Sequence, residues 1–291
     1  MQPEEISARV WPGREVVVEP LGGGITNHNF KVTTHGDAFV LRIGGKDTAL
    51  LGIDREAEHA ATLAAAALGI GPEVIAFVEP EGYLVTRFVE GRPLPVEEVR
   101  VPEVLRRVAE TLRRFHEGPA LPTRFDSFRV VETYLDIARE RGVKEPAEYV
   151  GAKETADAIE RTRGPVAECP CHNDLLNANF IAADRAVRIV DWEYAGMGDR
   201  FFDLANFSIN HELDADSSTA LLAAYFGEAR TDDARALELM RFMSDFREAM
   251  WGVVQSAVSE LEFDFGGYAA EHFARLERTA ASPAFVAALE A

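Results

Sequence analysis

The stretch Cys171-His172-Asn173-Asp174-Leu175-Leu176-Asn177-Ala178-Asn179, followed by Ile189-Val190-Asp191-Trp192-Glu193-Tyr194, decides how the rest of the chain reads. It has the form H-x-D-x-x-x-x-N, and beyond it a short apolar run reads as a strand that ends in Asp191. The spacing gives each polar group a use. Asp174 offers a carboxylate that can accept a hydrogen bond from a hydroxyl, and Asn179 can turn its amide oxygen towards a cation. Asp191 adds a hard anionic oxygen from the next strand, and a small cation that keeps several waters needs few such protein ligands. Taken singly these residues read differently: an isolated Asn-Asp-Leu is ordinarily a turn, and an Asp that ends a strand is ordinarily a cap. Their order and spacing together favour the chemical reading. His172 reads as a structural hydrogen-bonding group. Cys169 and Cys171 read as buried thiols ahead of a loop, being too few for a structural zinc site and too close together to staple the fold.

Working outward, residues 15–21, 29–33 and 38–43 read as three short strands, with Gly22-Gly23-Gly24 breaking the first turn and Gly36 the second. An alanine-rich helix over 54–68 follows, then strands over 74–78 and 83–88. Gly91, Pro93 and Pro95 mark 89–95 as a hinge. Past it the pattern turns helical over 101–116, 130–141 and 147–163 and again from 203 to the end, interrupted by short strands near 180–182 and 187–190. The expected architecture is an α+β chain with a small antiparallel-sheet lobe over 1–88, a hinge over 89–95 and a larger, mainly helical lobe over 96–291.

Composition narrows the function classes. The 291 residues carry a formal net charge of −19, an excess of carboxylates that repels phosphate backbones and anionic lipid headgroups. Nucleic acid is therefore an unexpected partner, whereas the field favours a cationic ligand. The first ten residues show no secretory signal pattern, and the apolar run over 60–70 is far shorter than a membrane span needs. No membrane insertion and a cytoplasmic location are expected.

In this order the segments resemble the aminoglycoside phosphotransferase and choline kinase superfamily, and choline/ethanolamine kinases in particular. The resemblance implies a bilobal, protein-kinase-like fold and a phosphotransferase that uses ATP and Mg2+. Leu21-Gly22-Gly23-Gly24-Ile25-Thr26-Asn27 resembles the nucleotide loop of these kinases, which implies that Gly23, Gly24, Thr26 and Asn27 lie at the phosphates. Phe39-Val40-Leu41-Arg42-Ile43 resembles their third strand, with Arg42 where protein kinases carry lysine and Glu56 as the helix carboxylate that would pair with it. The stretch 84–91 fits their hinge, placing Thr86 and Phe88 beside the nucleotide. The same likeness implies that Asp174 is the catalytic base and that Asn179 and Asp191 hold the metal. Asp203 is expected to order the catalytic loop or cap the helix that follows.

The C-terminal third resembles choline kinases in the segments that supply aromatic walls for an amine. Trp251 in Met250-Trp251-Gly252-Val253-Val254-Gln255, Tyr268 in Phe265-Gly266-Gly267-Tyr268, and Tyr194 are the implied substrate-binding residues, with Glu193, which either faces the amine or holds a metal-bound water. A quaternary ammonium donates no strong hydrogen bond, so aromatic faces with nearby carboxylates are its natural receptor. Two departures stand out: Val254 occupies the position where many choline kinases carry a second tryptophan, and Asn210, with Glu212 close behind, falls where a second carboxylate is expected. The expected acceptor is a small cationic alcohol, most naturally choline. Ethanolamine, thiamine or an aminoglycoside are the alternatives with the same chemistry. A degenerate kinase fold used as a binding module is the alternative of another class, and its hallmark would be loss of Asp174, Asn179 or Asp191, all of which are present.

Overall fold

Alternating apolar residues build the N-terminal strands, and glycines end them. The computed structural model describes residues 2–22, 26–183, 186–259 and 261–291. In chain order α1 spans Pro3–Val10, β1 Val17–Leu21, β2 Asn27–Thr34, β3 Asp37–Gly44, α2 Arg55–Ala67, β4 Val74–Val78, β5 Tyr83–Arg87 and β6 Arg92–Pro93. There follow α3 (Val96–Val99), α4 (Pro102–His116), α5 (Ser127–Glu140), α6 (Tyr149–Arg163), β7 (Cys169–Cys171), β8 (Phe180–Ala183), β9 (Ala186–Ile189) and β10 (Gly196–Gly198). The chain ends with α7 (Arg200–Asn210), α8 (Ala215–Phe226), α9 (Thr231–Val258), α10 (Phe265–Ala280) and α11 (Pro283–Glu290). No helix among the described residues is long and apolar enough to cross a membrane.

The chain divides into two compact units, one made of residues 1–94 together with 178–193, the other of 95–177 together with 194–291. The first contains a five-stranded antiparallel sheet in the order β1-β2-β3-β5-β4. Phe39 and Leu41 of β3 face the core with Val32, Val78 and Val85, so the strand's two-residue period turns Val40 and Arg42 to the opposite face. The core is closed by Ile6 and Trp11 from the N-terminal segment, which the sequence pattern leaves unassigned. Pro3 at the helix start, the buried Ile6 and the partly buried Val10 suffice there because packing, rather than propensity, holds so short a helix.

Helix α2 begins where the Asp54 side chain accepts hydrogen bonds from the backbone N–H groups of Glu56 and Ala57. Its buried face carries Ala57, Glu58, Ala61, Thr62 and Ala65, which places one carboxylate among alanines. Residues 178–193 complete this unit. β8 pairs with both β6 and β9, Ile189 N–H donates to Ile70 O (3.1 Å), and Val190 N–H donates to Asn179 O (3.0 Å), setting Asn179 beside Asp191.

The second unit is helical, with α5, α7 and α10 packed on α9. The α9 helix is buried on nearly every face from Leu237 to Gln255, the pattern of a helix enclosed by others. Three charged side chains, Asp245, Arg247 and Glu248, are buried within that apolar length. The two-stranded pair β7–β10, with Cys171 opposite Gly196 and Cys169 opposite Gly198, feeds directly into the loop that carries Asp174.

Candidate active site

In the first unit, Arg42 and Thr86 line a cavity of about 450 Å3 together with Val40, Leu84, Phe88, Glu58, Asn179 and Asp191. Its apolar walls and few convergent polar groups are the usual make-up of a small-molecule site. Arg42 Nη1 donates to Glu58 Oε1 (2.7 Å) and to Asp191 Oδ1 (2.5 Å). Burial opposes the guanidinium charge, but Asp191, Glu58 and Glu193 outweigh it and raise the Arg42 pKa above its ordinary value. Arg55 Nη1 bonds Glu58 Oε2 (2.6 Å) and Glu193 Oε2 (3.3 Å), and its Nη2 bonds Asn27 Oδ1 (2.8 Å). Asn27 Nδ2 closes the ring on Glu193 Oε2 (2.7 Å). Three carboxylates, Glu58, Asp191 and Glu193, thus face two guanidinium groups, and the deficit shows at Glu193. Burial, reinforced by Asp191, pushes its carboxyl up to about 8.

One expectation is corrected here. The carboxylate that meets Arg42 is Glu58, not Glu56, which is exposed. With Asp54 as the helix cap, the 3.6-residue period turns position 58 inward with Ala57 and Ala61, and position 56 outward. Glu193, for which the sequence leaves the amine and a metal-bound water both open, has its carboxylate bound by Asn27 and Arg55. Gly23 and Gly24 lie outside the described residues. Thr26 is placed by backbone packing: its carbonyl oxygen sits 2.2 Å from where a Cβ on Gly45 would fall, so only glycine fits there.

In the second unit, the loop that carries Asp174 is held by side chains of α7. Asp203 accepts from the backbone N–H groups of His172 (Oδ2, 2.7 Å) and Asn173 (Oδ1, 2.7 Å), and Asn206 Oδ1 accepts from Leu175 N–H (2.5 Å). Asn173 adopts φ of 65°, a left-handed conformation that asparagine tolerates, while its side-chain amide donates to Tyr194 O (3.0 Å). His172 accepts through Nδ1 from Asp174 N–H (3.2 Å), the structural part expected of it.

Asp174 Oδ1 receives a hydrogen bond from Arg247 Nη1 (3.1 Å), which also bonds Glu248 Oε1 (2.5 Å). The Arg247 guanidinium lies over the Tyr194 ring, 4.5 Å from its centroid. Trp251 Nε1–H donates to Tyr194 Oη (2.9 Å), Tyr268 O–H donates to Glu248 Oε2 (2.8 Å), and the Trp251 and Tyr268 rings meet edge to face at 5.5 Å. The structure therefore brings Asp174, Tyr194, Trp251 and Tyr268 together. It adds Arg247 and Glu248, each 1% exposed, which the sequence reading passed over. Burial would raise the Glu248 carboxyl, yet Arg247, His272 and Tyr268 hold it below the ordinary range. The available signal was helical spacing, since 247 and 248 lie four and three residues before Trp251 on one face of α9.

The profile of the phosphotransferase enzyme family matches residues 17–239. A solved structure of a choline/ethanolamine kinase family protein from Mesorhizobium loti superposes with a TM-score of 0.84 and 31% identity, covering 100% of this chain and 98% of that one. Protein LicA of Haemophilus influenzae is 27% identical over 85% of this chain and 75% of its own length, and Homo sapiens ethanolamine kinase 1 is 26% identical over 90% and 67%. The chain belongs to the phosphotransferase enzyme family and, within it, to the choline/ethanolamine kinase family. It is a phosphotransferase of the choline-kinase kind, built on a kinase-like fold with an antiparallel-sheet N-terminal region and a helical C-terminal region.

Proposed function

We propose that the enzyme transfers the terminal phosphoryl group of ATP to the hydroxyl of a small cationic amino alcohol, choline before ethanolamine. The observation that carries this reading is the Asp174–Arg247–Glu248 cluster under the rings of Tyr194, Trp251 and Tyr268. Two carboxylates against one guanidinium leave one negative charge beside aromatic faces, which suits a desolvated monocation. The relatives bear the names of both choline and ethanolamine kinases, so the preference for choline rests on the rings.

Nucleotide binding is assigned to residues 1–88 with the returning segment 178–193, acceptor binding to the rest of 96–291, and the link between them to 89–95. Phe88, Leu84 and Val40 provide apolar walls for a base, and Thr86 a polar group, in the cavity that also contains Arg42. Asn179 and Asp191 present hard oxygens to that cavity, a donor set that fits magnesium, and the surplus carboxylate charge around Glu193 favours a cation there. Bound magnesium would neutralise phosphate charge. As nucleotide enters, Arg42 exchanges Asp191 for a phosphate oxygen, keeping Glu58 as its anchor. Asp174 accepts the hydroxyl proton, and because phosphoryl transfer has a loose transition state, alignment contributes more than basicity.

The test is ATP consumption against choline, ethanolamine, thiamine and an aminoglycoside, with Asp174→Asn as control. Choline should show the highest kcat/KM, and Asp174→Asn should lose on the order of 10²–10⁴-fold in turnover with ATP affinity retained. Turnover within about tenfold of wild type in that variant would remove Asp174 from the reaction.

A further inference from the structure

Behind the loop that carries Asp174, the fold assembles three ligand-type side chains from three separate stretches of sequence. A ring nitrogen of His116, Cys171 Sγ and a carboxylate oxygen of Asp203 lie within 4.8 Å of one another, all buried. Cys169 brings a second sulfur 3.7 Å from that of Cys171. Both thiols share a face of β7 because the strand period is two. With zinc–sulfur bonds of about 2.3 Å at a tetrahedral angle, two thiolates on one zinc stand about 3.8 Å apart, so the observed spacing already matches the bite of a metal. His116 Nε2 faces Asp203 Oδ2 (3.0 Å), and its Nδ1 faces Tyr225 Oη (2.6 Å), the kind of outer partner that orients a ligating imidazole. The two cysteines alone are too few for zinc; His116 from the end of α4 and Asp203 from α7 join Cys171 as three close ligands, and Cys169, outside that set, would supply the fourth by turning its sulfur towards them.

We propose that Cys169, Cys171, His116 and Asp203 form a site for a thiophilic divalent cation, zinc above all, whose occupation weakens the hold of Asp203 Oδ2 on the catalytic loop and lowers kinase activity. Asp203 Oδ2 accepts from both His116 Nε2 and His172 N–H, so a metal on that oxygen takes the place of His116 and draws charge from the oxygen that holds the loop, while Oδ1 still accepts from Asn173 N–H. Binding displaces the two thiol protons to solvent. The imidazole stays neutral, its remaining proton moving to Nδ1, where it is donated to the Tyr225 hydroxyl oxygen. Thiolate and imidazole ligands select zinc over magnesium, which keeps this site chemically apart from the hard oxygens of Asn179 and Asp191.

The activity half of this inference rests on the function proposed above, and the binding half does not, so the experiment reads them separately. Metal-free full-length protein is titrated with cobalt(II) and followed by absorption, then with zinc. One cobalt per chain should give a thiolate-to-metal charge-transfer band and tetrahedral ligand-field bands, displaced by zinc and lost in Cys171→Ser. Zinc should inhibit ATP turnover in saturating magnesium, and Cys169→Ala or Tyr225→Phe should raise the zinc concentration needed by at least about tenfold. Wild-type protein without the thiolate band overturns the site, whether or not the Cys171→Ser protein folds. Zinc inhibition unchanged in Cys169→Ala overturns the coupling, because the metal then acts at Asn179 and Asp191.

Discussion

Arg247 shows how one residue can serve two acids. Its guanidinium is buried between Asp174 and Glu248, so removing it would leave two carboxylates without their shared cation. By binding Asp174 Oδ1 it also fixes the rotamer of the proposed base, a preorganising contact made before any substrate arrives. Trp251 is the residue that separates acceptor recognition from packing. A desolvated cation over an aromatic face gains on the order of 2 kcal/mol, so Trp251→Ala should raise the choline KM at least about tenfold and leave the ATP KM nearly unchanged. Ethanolamine, with three N–H donors, should depend less on the ring and more on Glu248. Since Trp251 is also nearly buried, its removal will cost stability, and thermal unfolding must be measured beside the kinetics. A folded variant with an unchanged choline KM would return Trp251 to the core and shift the acceptor to another class.

At the scale of elements, helix α2 poses the clearest choice between two neighbouring carboxylates. Glu58→Gln should weaken ATP binding and lower stability, because Arg42 and Arg55 both lose an ionic partner in a buried setting. Glu56→Gln, on the exposed face, should change stability by no more than about 0.5 kcal/mol. Isothermal titration with ATP and thermal melts distinguish the two. Gly252 tests the α9–α10 contact: a Cβ there would stand 3.0 Å from Phe265 O and 3.1 Å from Ala269 Cβ. Gly252→Ala should cost about 1–3 kcal/mol and, by displacing α10 with Tyr268, raise the acceptor KM more than the ATP KM. Much of this organisation was legible beforehand. The glycine-broken strands, the helix after Asp54 and the loop around Asp174 carry local signals of period and turn chemistry. The helix α1 and the charged face of α9 do not, because Ile6 is one apolar anchor in a polar segment, and Arg247 and Glu248 look like solvent-facing residues until α9 is enclosed. The Arg42 partner was misread for a related reason: spacing alone names the helix, and only its cap fixes which carboxylate turns inward.

For the whole molecule, acid should act through His211 at the end of α7. Burial lowers its pKa to about 4, only partly offset by the hydrogen bond between Nδ1 and Phe207 O (2.8 Å). The folded-state pKa lies below the ordinary 6.5, so the neutral ring favours the native state above that value, and the contribution is lost as pH falls from about 6.5 to 4. The full loss is on the order of 3 kcal/mol. In His211→Gln, denaturant unfolding should decline less over that range, and parallel curves for the two proteins would contradict the assignment. The division of the chain also has a consequence for its birth on the ribosome. The first unit is not continuous in sequence: residues 178–193 return to it after the chain has passed into the second. A nascent chain that has emerged through Leu94 therefore holds an unfinished sheet domain, with the edge of β6 unpaired and Ile70 O still without Ile189 N–H. At about 5–20 residues per second, roughly a hundred more residues must be made before that edge closes, an interval of about 5–20 s in which the first-made part of the protein waits on a segment made much later.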